Sequence, residues 1–179
     1  MTRLVSNRSL VLGFHPTARG FGWALFENPL TLVSHGTYEA KGPDKNARCL
    51  RRLAWLLAQY GPETFVIEAF GRDSSMRSER IRKLCLAVVS SAADHNAELS
   101  CLKRSEVQAA FAATGARTRD EIAEAVARHL PALRPRLPNR RKHWDGEDKR
   151  LSVFAAAALV LAHYHNGATA LLDDLRNAA

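Results

Sequence analysis

The segment Leu10-Val11-Leu12-Gly13-Phe14-His15-Pro16-Thr17-Ala18-Arg19-Gly20-Phe21-Gly22-Trp23-Ala24 decides how the rest of the chain is read. An apolar run, a turn marked by Pro16 and Gly20, and a second apolar run predict strand, turn, strand. Working outward, residues 9–15, 21–27 and 31–39 are three expected strands joined by turns holding Gly20 or Pro29. Leu50, Leu53, Ala54 and Leu57 recur at helical spacing, which predicts a helix over 46–60 that Gly61-Pro62 ends. Thr64-Phe65-Val66-Ile67 is short and apolar throughout, as a central strand covered on both faces requires. A helix over 75–95 would bury Ile81, Leu84, Cys85, Val88 and Ala92, and Glu98–Leu102 reads as a fifth strand.

Beyond it, Ser105-Glu106-Val107-Gln108 and Thr118-Arg119-Asp120-Glu121 both fit a capping box. They predict helices at 106–113 and 119–130, separated by Gly115. A strongly apolar helix over 148–165 and a short tail helix at 169–177 complete the order, which is that of an α/β domain. At 179 residues the chain is expected to form a single domain, with a core over about 9–166, a basic Pro-rich arm at 131–146 and a tail at 167–179.

Composition narrows the function classes. An apolar content of 46% argues against a disordered chain, and no run approaches the length of a membrane span. Cys49, Cys85 and Cys101 are widely spaced and form no CxxC pair, which suits reduced thiols and a cytoplasmic setting; no signal peptide is expected in the first residues. Lys and Arg number 26 against 18 Asp and Glu, a net charge of +8, so a polyanion partner is favoured.

The cations are grouped. Arg134, Arg136, Arg140, Arg141 and Lys142 share a stretch with Pro135 and Pro138, which is expected as an exposed, non-helical arm. Arg72, Arg77, Arg80, Arg82 and Lys83 follow the strand that ends in Glu68. Either group would contact phosphates with salt-sensitive affinity, or serve as a solvated surface.

Four stretches in order resemble the RuvC family of Holliday-junction resolvases over about residues 9–166. They are Leu12-Gly13-Phe14-His15-Pro16 with Gly22, Val66-Ile67-Glu68, Val107 through Gly115-Ala116-Arg117-Thr118-Arg119, and Ala156–His165. The resemblance implies an RNase H-like fold of the RuvC type, a mixed five-stranded sheet flanked by helices. It also implies branched or structured DNA as partner, a homodimer, Arg119 near the phosphate, and Phe70 as a wedge at an opened junction; Phe70 equally reads as a packing residue. The family cleaves phosphodiesters with divalent metal held by acids from the first strand, from the strand ending at Glu68, and from two positions three apart on the last helix.

This chain departs from that pattern. His15 stands for the first acid, and the helical pair falls on Ser152 and Ala155, so Glu68 alone is kept. Mg²⁺ prefers several oxygen anions. A substitute set of Glu68, Asp148 and Glu147 with His15 would suit Mn²⁺ or Zn²⁺ better. Asp148 would sit about 6 Å along the helix from the usual ligand position at ~1.5 Å per residue. Asp145, Glu147 and Asp148 read equally as acids at the positive end of a helix, and His15 as a strand-end polar group. His163 and His165 read as packing or helix-end charge partners. Trp23 and Trp55 read as core or lid residues, and Trp144 as a stacking candidate beside the arm.

Three readings follow: a binder of branched DNA with weakened or lost nuclease activity, an active Mg²⁺- or Mn²⁺-dependent endonuclease with a rearranged site, and a protein-interaction module on the same fold.

Overall fold

A computed structural model describes residues 9–70, 78–139 and 148–177. Its centre is β1 (Val11–Pro16), buried at every position. β2 (Gly20–Asn28) and β3 (Thr31–Glu39) follow as antiparallel neighbours, and β4 (Thr64–Glu68) and β5 (Glu98–Leu102) join in parallel on the other side of β1. The five-stranded mixed sheet has the order β3-β2-β1-β4-β5.

The sheet is covered on both faces. α1 (Lys45–Tyr60) and α2 (Glu79–Asp94) enclose a cluster around Leu12, Phe14, Leu53, Phe65, Ile67 and Leu84. α3 (Arg104–Ala110), α4 (Arg119–His129) and α5 (Leu151–Asn177) cover the opposite face around Val66, Val126, Phe154 and Val160. Both clusters draw on β1 because successive side chains point to opposite faces. This is the α/β architecture expected from the order of elements.

Gly13 and Gly22 fix how closely α5 lies on β1 and β2. A Cβ on Gly13 would run into the carbonyl of Ala156 and come within 2.7 Å of Val160 Cγ2. A Cβ on Gly22 would meet Ser152 directly, backbone and hydroxyl alike. Pairing of His15 with Gly22 then brings the first turns of α5 beside the end of β1.

Several expectations need correction. α5 is one helix through residue 177, so the separate tail helix over 169–177 does not exist, and His163 and His165 are mid-helix residues. Gly167 does not break it: an interior glycine costs only about 1 kcal/mol against alanine, which neighbouring Ala and Leu offset. His163 is a packing partner, with Nδ1 2.9 Å from Ser100 Oγ. The start of the Pro-rich arm is a 3-10 helix, Pro131–Arg136, that buries Leu133. Its turns close through Leu133 N–H to Leu130 O and Leu137 N–H to Arg134 O, bonds that need no proline N–H. α3 begins at Arg104, before the expected cap Ser105, because Glu106 accepts from the Lys103 N–H at 2.7 Å. Trp23 is a core residue as expected, but Trp55 is 48% exposed on α1.

The close approach of α5 has a measurable consequence. Gly22→Ala is expected to lower unfolding free energy by about 1–3 kcal/mol or more, as overpacking does, in urea titration. Ala24→Gly, on the same strand, would lose only a methyl group and report the ordinary cost of a strand change.

Candidate functional site

β1 and β4 run parallel, so their C-terminal ends meet at one edge of the sheet. Their last paired residues are Phe14 and Ile67, both facing α1 and α2. The next residues, His15 and Glu68, therefore project to the α5 side. They line an open cleft of about 650 Å³, its mouth included. His15 is 6% exposed at its base.

α5 forms the cleft's apolar wall. Leu151, Phe154, Ala155, Ala158 and Leu159 fall at i, i+3, i+4, i+7 and i+8, one face of a helix. Val107 of α3 and Ile122 and Ala123 of α4 add to it.

The rim is cationic. Arg104, Arg117 and Arg119 are exposed side chains lining the same cleft. Local hydrogen bonds hold the segment that carries two of them. Gly115 takes φ 77°, a left-handed conformation that favours glycine. Gln108 Nε2 donates to Arg117 O at 3.2 Å, and Glu121 Oε2 accepts from the N–H groups of Arg117 and Thr118 at 2.9 Å each. Thr118 Oγ1 accepts from Glu121 N–H, which completes the expected capping box and sets Arg119 as the first residue of α4.

The structure thus brings together His15, Glu68 and Arg119 from the sequence-based candidates. Ala155 is in the cleft wall. Ser152 is buried, and its hydroxyl donates to Lys149 O at 2.6 Å. Asp148 does not line the cleft. Its carboxylate accepts from Arg150 Nε and Nη2, at 2.7 Å for the shortest contact, and from the Arg150 N–H at 2.9 Å. Those side-chain hydrogen bonds hold the Asp148 carboxyl below the usual carboxylate range.

Other candidates serve elsewhere. Arg80 Nη2 donates to Thr17 O at 2.8 Å and Ala18 O at 3.0 Å, and Nη1 to Asn46 Oδ1 at 2.7 Å, so it ties α2 to the β1–β2 turn and α1. Lys83 pairs with Glu79 at 2.9 Å on the surface of α2. Phe70 is half-buried against the α1–α2 cluster. Arg72, Arg77, Arg140, Arg141, Lys142 and Glu147, with Trp144 and Asp145, lie outside the described residues. Sequence reasoning missed Arg104 and Arg117. Arg117 lay inside a quoted motif without a role, and Arg104 reaches the cleft only because α3 packs beside α5.

The donor chemistry of the cleft does not fit an oxygen-rich magnesium site. Its described lining offers one carboxylate and one imidazole, and among the described residues no three His, Cys, Asp or Glu side chains are grouped to hold a metal ion. Among those residues also, no helix is long and apolar enough to cross a membrane.

No protein-family model matches the chain, and no curated protein matches it in sequence. Solved structures do match. Thermus thermophilus RuvC shares 17% identity with a TM-score of 0.66, over 90% of this chain and 96% of that one. The same organism's RuvC in complex with Holliday junction substrate gives 18% and 0.64, over 89% and 95%. The fowlpox virus resolvase with its substrate Holliday junction DNA gives 12% and 0.54, over 87% and 99%. At such identities the likeness is one of fold: the chain has the RuvC-type RNase H-like architecture.

The Asp148–Arg150 pair carries a pH prediction. Asp148 titrates at 3.8 when unperturbed and lower in the fold, so its ionic contribution to stability is present above 3.8 and is lost as pH falls through the lowered value. Asp148→Asn is expected to be less stable than wild type at neutral pH, with the difference shrinking in urea titrations as pH falls below 3.8.

Proposed function

We propose that this chain binds branched or otherwise structured DNA through the cleft at the ends of β1 and β4, with the metal-dependent chemistry of its fold relatives weakened or lost. The observation that carries this reading is the exchange of charge within one cleft. Three arginines ring it, while of the positions that the resemblance assigns to acids, His15 and Ala155 line the cleft with Glu68, and Ser152 is buried against Gly22. Guanidinium groups match phosphate oxygens in planar, bidentate geometry. A single carboxylate repels phosphate weakly and leaves a divalent ion short of anionic ligands. The endonuclease alternative would rest on Asp148, which Arg150 already engages away from the cleft, and on Glu147. The homodimer that the resemblance implies would present two equivalent clefts to the two-fold symmetry of a four-way junction.

Fluorescence anisotropy with a four-way junction and a linear duplex, both in EDTA, tests the binding role. Wild type is expected to prefer the junction without metal, and Arg117→Ala or Arg119→Ala to reduce the steepness of log K against log salt by about 1 each. Equal affinity for junction and duplex would contradict it.

Restoring the acids tests the account of the cleft. His15→Asp/Ala155→Asp places two carboxylates near Glu68 and is expected to gain Mn²⁺ binding in calorimetry where wild type shows little. No gain would mean that these positions do not converge.

A further inference from the structure

α1 has an unusual charge pattern. Its sequence, KNARCLRRLAWLLAQY, holds four cations and no acid, and its first turn has none of the acidic residues that the helix dipole favours. α2 pairs Lys83 with Glu79, and α4 opens on Asp120 and Glu121, so the other helices balance their charge. Among the described residues no carboxylate forms an ion pair with Lys45, Arg48, Arg51 or Arg52.

These cations share one face. At about 100° per residue, Lys45, Arg48, Arg51, Arg52 and Trp55 fall within a ~120° arc. The adjoining arc, about 20° to 120° on from Lys45, buries Cys49, Leu53, Leu56 and Leu57 against the sheet. The Arg52 guanidinium stacks 4.3 Å from the Trp55 ring centroid, which holds an exposed aromatic and a cation together in one surface unit.

The stripe lies on the face of the sheet opposite α5, and its first turn is tied to the turn that follows β1, around whose end a duplex arm would pass from the cleft. Arg80 joins Asn46 in the first turn of α1 to the carbonyls of Thr17 and Ala18, in the turn just after His15 and Pro16. From Lys45 to Trp55 it extends about 15 Å along the helix.

We propose that this face of α1 is a second DNA-contact surface, a track that grips the sugar-phosphate backbone of a duplex arm leaving the cleft, with Trp55 packed on the strand at its far end. The inference rests on the DNA-binding reading of the cleft and adds where an arm runs. An array of cations with a single aromatic and no other exposed apolar side chain on that arc fits a phosphate track better than a membrane surface, which would need apolar side chains to insert.

The test compares wild type with Lys45→Gln/Arg48→Gln/Arg52→Gln and with Trp55→Phe, all checked by circular dichroism melting. Arg48 and Trp55 are exposed and Lys45 and Arg52 partly so, and the glutamine set introduces no new charge. Junction affinity is measured across a salt series, with tryptophan emission followed in parallel. The proposal predicts a slope of log K against log salt flatter by about 3 in the triple variant, and affinity at least about tenfold weaker. It also predicts a DNA-induced emission change that Trp55→Phe removes. A wild-type-like slope and affinity in the triple variant would overturn the track and leave the cleft reading standing. No junction binding by wild type would overturn both. Wild-type binding to phosphatidylserine-containing vesicles but not to DNA, lost in the triple variant, would reassign the surface to a membrane and overturn the proposal.

Discussion

The packing of α5 onto β1 and β2 across Gly13 and Gly22 is the constraint on which the rest of the structure depends. Neither position leaves room for a Cβ, since Ala156 and Ser152 backbone atoms occupy that space. The helix lies this close because its inner face is built of Ala156, Ala157, Val153 and Val160, which are fully buried. Buried apolar area stabilises at roughly 25 cal/mol per Å², and only small residues on both sides let helix and sheet bury that area without voids. The same contact sets the rotation of α5, which is why Leu151, Phe154, Ala155 and Ala158 face His15 and Glu68.

Given that placement, the chemistry of the cleft follows from few residues. In a fold of this type the end of β1, the end of β4 and the first turns of the last helix converge. Here the convergence yields an imidazole, one carboxylate and an apolar wall, with guanidinium groups supplied from α3, α4 and the loop between them. Phosphate recognition needs only the cations, whereas cleavage by divalent ions needs several oxygen anions at one point. The guanidinium groups share the cleft with Glu68 and His15, so its described lining offers phosphate-binding cations without a cluster of oxygen anions.

Much of the fold is legible in the sequence. β3 and β5 have the expected bounds, and the stripe Leu84, Cys85, Val88 and Ala92 is the buried face of α2, because period and apolar content dominate where both faces are covered. Expectations failed where one local signal was read as decisive. Pro135 was compatible with a 3-10 helix whose hydrogen bonds avoid it, and the last helix runs on without a break through residue 177. In the site, Glu68 and His15 were readable only through the resemblance, which marks the ends of those two strands. Arg104 was not, because its proximity to Glu68 arises from three separate elements packing together. Asp148 was misleading for the opposite reason: its position along the chain is near the cleft, but its neighbour Arg150 holds the carboxylate.

The proposed function separates recognition of structured DNA from metal-dependent cutting, which would be weakened or lost. Strand-labelled four-way junctions incubated with the protein in Mg²⁺, in Mn²⁺ and in EDTA, under conditions where the complex is seen on a gel, test it most directly. The account predicts a shifted junction whose four strands stay intact, or are nicked only slowly, in all three. Efficient metal-dependent nicking that disappears in Glu68→Gln would contradict it.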